Sequence, residues 1–241
     1  MRLQGIYAAI ATPFDHQGNL YKAKVQHNVE KWNKTSLAGY AVGTEWGEGP
    51  LLRFEERVGL WQLVREAAAE SRALIADVTA EGVAETLALA REAARLGFGA
   101  VTCSMPMRYP AAAPLYARAV ADGSPVPVVL RGQRIDHPNV IAMLVDGIAQ
   151  AGELTSQAAC VWESLQAGAA GAVLGSASAD PYAAILIWEA FRTRETDAGL
   201  DWQARVRDWA GVPELKHAMD RNGYYGGPPR LPLSAIPAAA R

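Results

Sequence analysis

Two hydrophobic periods alternate along the chain. Short continuous apolar runs suit strands buried on both faces, and between them lie segments whose apolar residues recur three and four apart. Residues 5–13 form the first run, ended by Pro13, and residues 14–19 form a polar turn. Residues 22–35 then carry Val25, Val29 and Trp32 at helical spacing, and residues 39–44 form a second strand. A helix over 54–71 places Val58, Leu60, Trp61, Val64 and Ala68 on one side, and residues 73–76 form a third strand. A helix over 80–96 ends at Gly97, a residue suited to a left-handed cap. Residues 99–103 form a fourth strand, 115–122 a helix and 126–130 a fifth strand. Strand and helix joined by short connections predict βαβ units around a parallel sheet. No Gly-x-Gly-x-x-Gly run follows a strand, so the pattern points to a closed barrel over a dinucleotide-binding sheet.

After residue 130 the alternation weakens. The next apolar run begins at Val140, and a parallel crossover ordinarily needs about a dozen residues or more. Residues 140–144 are either a sixth strand without its preceding helix, or part of a helix over 138–150 with Asp136 as N-cap. Periodicity leans to the helix, with Val140, Ile141, Leu144, Val145 and Ile148 on one side. Beyond it, 156–167 reads as helix, 171–175 as strand, 182–193 as helix and 198–223 as largely helical, with a Pro/Gly-rich stretch at 226–233.

Composition narrows the function classes. Half of the 241 residues are apolar, enough for one large core, and the formal charge is −2 with both signs intermixed. That balance argues against nucleic acid and against an anionic membrane surface as partners. No apolar run reaches the ~20 residues of a membrane helix, and the N-terminus lacks a secretory pattern. The two cysteines, Cys103 and Cys160, have no metal-ligand spacing, so a cytoplasmic location is expected.

Several motifs, in order, resemble the dihydrodipicolinate synthase / N-acetylneuraminate lyase family of Schiff-base aldolases. They are Ala9-Ile10-Ala11-Thr12-Pro13-Phe14-Asp15, the loop Gly43-Thr44-Glu45-Trp46-Gly47-Glu48-Gly49 with Glu55-Glu56-Arg57, and Ile75-Ala76 through Glu85-Thr86. The most specific are residues 211–220 followed by 223–233, which resemble the family's C-terminal helical extension. The resemblance implies an α/β fold, a (β/α)8 TIM barrel, here shortened or irregular around strands 5–7. The barrel is expected over residues 1–195 and the extension over 196–241. It favours the strand for the Val140 run and implies a homodimer or homotetramer, with Tyr109 at the usual subunit contact.

The family's chemistry captures a 2-keto acid on a barrel lysine, with a fifth-strand tyrosine relaying protons and the Gly-Thr loop holding the carboxylate. This chain departs at each place. Leu144 stands at the Schiff-base lysine position, and Arg131 replaces the tyrosine. Glu45 and Trp46 follow Thr44 where a second hydroxyl is usual, and a carboxylate there repels a 2-keto acid unless it is protonated or paired. The lysines are Lys22, Lys24, Lys31, Lys34 and Lys216 alone, and Lys216 reads as a solvated cation on the C-terminal helix. No catalytic residue is assigned. The substrate-pocket candidates are Thr12, Gly43, Thr44, Glu45, Asp77, Tyr109 and Arg131, with Arg131 able to clamp an anion. Trp46 is placed to fill the pocket. Glu48 reads as a structural loop carboxylate, and Arg134 as an exposed loop charge. The spacing of Glu45, Asp77 and Glu81 does not require a divalent cation, so neither metal nor cofactor is expected. The expected ligand is a small anion, a 2-keto acid or a sugar acid. The function that follows is that of a lyase-type family protein without Schiff-base activity. The alternative is a non-catalytic ligand-binding or interaction protein on the same fold; a third reading is a barrel damaged by deletion.

Overall fold

The structure, a computed structural model, describes residues 3–105 and 108–236. The barrel strands are β1 (Gly5–Ile10), β2 (Gly39–Val42), β3 (Ala73–Asp77), β4 (Ala100–Ser104), β5 (Val128–Arg131), β6 (Val140–Val145), β7 (Leu154–Thr155) and β8 (Gly171–Leu174). All are parallel, each pairs with the next, and β8 returns to β1, closing the sheet. The helices outside it are α1 (Lys22–Trp32), α2 (Phe54–Ala67), α3 (Val83–Arg95), α4 (Ala113–Gly123), α5 (Val161–Gln166) and α6 (Pro181–Thr193). Two more, α7 (Thr196–Gln203) and α8 (Val212–Arg221), form the C-terminal extension.

Alternation along each strand divides the core in two. Tyr7, Ala9, Ala41, Ile75, Val129, Ala142, Leu144, Leu154 and Val173 fill the barrel interior. Their neighbours, among them Ala8, Tyr40, Leu74, Val101, Leu130 and Leu174, pack outward against the helices. Trp32 and Trp61 are buried in that outer layer, and no side chain on α1 reaches the interior cluster.

The Val140 run is a strand, so the helix over 138–150 and its Asp136 cap are corrected. Continuous apolar character here reflects burial on both faces of the sheet, and a register shift at Val128/Val129 against β6 disturbs the strand period. No helix lies between β5 and β6, nor between β6 and β7. A chain reaches at most about 3.3–3.6 Å per residue, so residues 132–139 span roughly 26–29 Å, about twice the length of four-residue β5. An extended segment therefore returns to the foot of the barrel without a helix. Asn139 fastens it there. Its amide donates to the carbonyls of Ala121 (3.0 Å), Ser124 (3.2 Å) and Val126 (3.4 Å) at the end of α4. Arg134 is an exposed loop charge, as expected from the sequence, and it pairs with the buried Glu153 across the two helix-free crossovers. The strand Leu154–Thr155 was not legible in the sequence, where the helix was expected from residue 156; α5 starts at Val161 after a 3-10 turn.

The extension is bolted to the barrel by charge. Lys216, 1% exposed, points its ammonium at Glu48 Oε1 (2.5 Å) and donates to the Pro228 carbonyl (3.0 Å). The expectation of a solvated lysine is corrected: the segment 223–233 folds back over α8 and covers it. Glu48 accepts the Arg230 amide (2.6 Å), and the Arg230 guanidinium grips both oxygens of Glu56 (2.9 and 2.8 Å). Phe14 lies between the two cations, its ring 4.6 Å from Lys216 Nζ and 4.4 Å from Arg230 Cζ. Glu48 is thus a buried structural carboxylate, as expected from the sequence.

Candidate functional site

The strands β2 to β6 end at a common rim, and a cavity of about 440 Å³ opens there. This is the C-terminal face of the barrel, where strand ends and their following loops project side chains. Gly43 follows β2, Asp77 ends β3, Ser104 ends β4, Arg131 ends β5, and Asp146 follows β6; all five line the cavity, together with Glu45 and Thr79.

Arg131 organises it. Its Nη1 meets Glu45 at 2.8 Å and its Nη2 meets Asp146 at 2.6 Å. Ser156 adds a hydroxyl to Asp146. Burial opposes the Arg131 charge, but the two carboxylates more than offset this and hold its pKa above the ordinary value. Burial likewise works against the Asp146 carboxylate, yet Arg131 and Ser156 keep it below the usual range. Glu45 is therefore a paired carboxylate. Asp77 is recessed at the cavity wall, and desolvation pushes its carboxyl up against the opposing hydrogen bond from the Thr79 amide (2.8 Å). Arg57 also lines the cavity, but its guanidinium is committed to the carbonyls of Gly49 (3.1 and 2.9 Å) and Thr79 (2.7 Å).

Leu144 sits directly across from Arg131 in the β5–β6 register and packs inside the barrel at 6% exposure. Two residues further on the same face, Asp146 reaches the rim. Lys22, Lys24 and Lys31 lie on α1 and Lys34 just beyond it, outside the barrel, and no lysine lines the cavity. Among the described residues no group of three His, Cys, Asp or Glu side chains is placed to hold a metal ion.

Four of the seven pocket candidates, Gly43, Glu45, Asp77 and Arg131, come together at the rim. Thr44 lies between two lining residues; its hydroxyl is buried and has no hydrogen-bond partner among the described residues. Two are corrected. Thr12 is buried beneath the loop, where its hydroxyl donates to the Gly47 carbonyl (2.5 Å), so it supports the rim without lining it. Tyr109 is 61% exposed in the segment before α4 and is not among the residues that line the cavity. Sequence reasoning missed Asp146; strict alternation from Leu144 was the signal that could have found it. Trp46 packs against the barrel core, and a Cβ added at Gly175 would fall 2.4 Å from its ring, so the indole caps the β8 side and leaves the opening over β2–β6.

A family model described as "Dihydrodipicolinate synthetase family" matches residues 2–131, ending where the helix-free crossovers begin. An N-acetylneuraminate lyase from Escherichia coli O1:K1 is 37% identical over 108 residues, 45% of this chain and 36% of the lyase, so the match spans about a third of that relative. A dihydrodipicolinate synthase from Bacillus anthracis superposes with a TM-score of 0.89 at 20% identity, over 100% of this chain and 95% of that one. An Escherichia coli K12 prophage protein of the dihydrodipicolinic acid synthase family, in complex with pyruvate, gives 0.89 at 18% identity, over 98% and 94%. With more than half its length matched by the family model and the whole barrel shared with those structures, the chain belongs to the dihydrodipicolinate synthetase family.

Proposed function

We propose that this chain is a family member that binds a small carboxylate-bearing molecule, a 2-keto acid or a sugar acid, at the barrel mouth without forming an imine. One observation carries the reading: Leu144 fills the inward-facing position beside Arg131, and among the described residues no lysine lines the cavity. An alkyl side chain offers no lone pair to a carbonyl, and loss of a nucleophile costs on the order of 10⁶ in turnover in a well-studied hydrolase.

Arg131 supplies the recognition. The Glu45 side chain on it is 52% exposed, and such half-solvated pairs contribute about 0–1 kcal/mol. A ligand carboxylate that meets the guanidinium fork with two charge-assisted hydrogen bonds gains more than Glu45 loses by turning to solvent. The Asp77 carboxyl, raised by burial, is a further polar group on the cavity wall.

Pyruvate and N-acetylneuraminate are titrated calorimetrically into the chain, Glu45→Gln and Arg131→Gln. The expected order of affinity is Glu45→Gln above the unsubstituted chain, by up to about fivefold, and Arg131→Gln lowest. Binding that is indifferent to both substitutions, or no binding in any of the three, refutes the reading.

A further inference from the structure

A second cavity, of about 170 Å³, lies at the end of β8 and shares no lining residue with the barrel mouth. The turn Ser176–Ser178 forms one wall, and the segment joining α7 to α8 forms the other. Two of its lining residues carry a wholly buried polar atom with no hydrogen-bond partner among the described residues: Ser176 Oγ and Trp209 Nε1. An indole N–H only donates, and a hydroxyl can donate as well as accept, so the wall offers donors that no protein acceptor meets. Buried donors without acceptors are rare in native proteins, and each points to a missing polar partner.

Charge gives that partner a sign. Arg205 and Arg207 both line the cavity. Arg205 is steadied by the Trp202 ring, 4.6 Å from its Cζ, and neither guanidinium is in an ion pair among the described residues. The opposing group is Asp180, whose carboxylate is engaged as the N-cap of α6, accepting from the Ala183 amide (3.4 Å). Asn222 also faces the cavity, with its amide donating to the Ala179 carbonyl (2.9 Å). Two cations and two free donors against one engaged carboxylate select an anion with several acceptor oxygens.

Size and place narrow it further. Whole organic ligands occupy sites of about 300–1,000 Å³, so 170 Å³ takes a group of atoms rather than a metabolite. The cavity sits after the last barrel strand, with Ser176 and Asp180 on one side and Arg205 and Arg207 on the other. We infer that this cavity binds a phosphate group, with Ser176 Oγ and Trp209 Nε1 donating from the floor and Arg205 and Arg207 closing over the outer oxygens.

Inorganic phosphate is the probe. The full chain, Arg207→Gln, Trp209→Phe and Arg131→Gln are titrated at constant ionic strength, read by calorimetry and by the indole ¹H–¹⁵N cross-peaks. Trp209→Phe also assigns its own cross-peak by deleting it, and Arg207 is exposed, so its replacement leaves packing intact. The expected result is saturable binding that shifts the Trp209 indole peak. It weakens about tenfold in Arg207→Gln and several-fold in Trp209→Phe, and does not change in Arg131→Gln. Absence of saturable binding, binding that survives both substitutions, or binding abolished by Arg131→Gln overturns the assignment. Acetate moving the same peak with equal affinity overturns phosphate as the preferred anion. Because the barrel-mouth variant is a separate arm, failure here and failure of the proposed function are distinguishable.

Discussion

Breaking the pair between Glu48 and Lys216 tests how the extension is held. Their side chains are 0% and 1% exposed, so neither charge has water to fall back on. Lys216→Met leaves the Glu48 carboxylate with the Arg230 amide, and Glu48→Gln leaves the ammonium without its paired carboxylate, held by the Pro228 carbonyl and the Phe14 ring. Orphaning one member of a buried pair costs about 3–5 kcal/mol, whereas replacing both by neutral groups is close to neutral. Each single variant is therefore expected to lose about 3–5 kcal/mol in equilibrium urea unfolding, and Glu48→Gln/Lys216→Met to lose less than either. Acidity adds a second signature. Burial pulls the Lys216 pKa below its ordinary 10.5, and Glu48 opposes that fall. Removing Glu48 lets it fall further, so the folded state pays a penalty for the charge at neutral pH that lessens as pH rises towards 10.5. The Glu48→Gln deficit should narrow over that window. Single losses under about 1 kcal/mol, the size of a solvent-exposed pair, or additive losses in the double variant, refute the reasoning.

Two further outcomes follow from titrating groups. Arg230 holds the Glu56 carboxyl down from 4.5 to about 2; a depressed folded pKa stabilises above the unfolded value and is lost on acidification. Unfolding midpoints should therefore drop as pH falls from 4.5 towards 2, and Glu56→Gln should flatten that slope; an unchanged slope contradicts the role of Arg230. Asp77 has the opposite sign: burial raises its carboxyl above 3.8, so its contribution is complete at lower pH and is lost as pH rises through the folded value. Asp77→Asn keeps an acceptor for the Thr79 amide and should melt higher than the unsubstituted chain at pH 7. A lower melting temperature would show that the ionised carboxylate is satisfied.

The first five strands and their helices were legible because each pairs a continuous apolar run with a 3.6-residue period, as in residues 73–76 followed by 80–96. The fold beyond residue 131 was legible only as irregular. Strand β6 is buried on both faces and shifted in register, so its side chains carry no clean period, and two-residue β7 is too short for any. The bolts that permit helix-free crossovers, Asn139 on the end of α4 and Arg134 on Glu153, depend on tertiary neighbours that no local pattern reveals. The same holds at the rim. The end of the third strand placed Asp77, and the family resemblance placed Arg131, Gly43 and Glu45. Pairing of Arg131 with both Glu45 and Asp146 depends on three strand ends meeting, and Lys216 was misread because its partner Glu48 is 168 positions away (216 − 48).

The absence of an imine-forming amine at the barrel mouth is tested most directly by reductive trapping. The chain is incubated with pyruvate and sodium borohydride beside a Schiff-base aldolase as positive control, and its intact mass is measured. An unchanged mass is predicted; a reduced pyruvate adduct, mapped by peptide mass to Lys216 or to any of the four lysines at 22–34, would contradict the account.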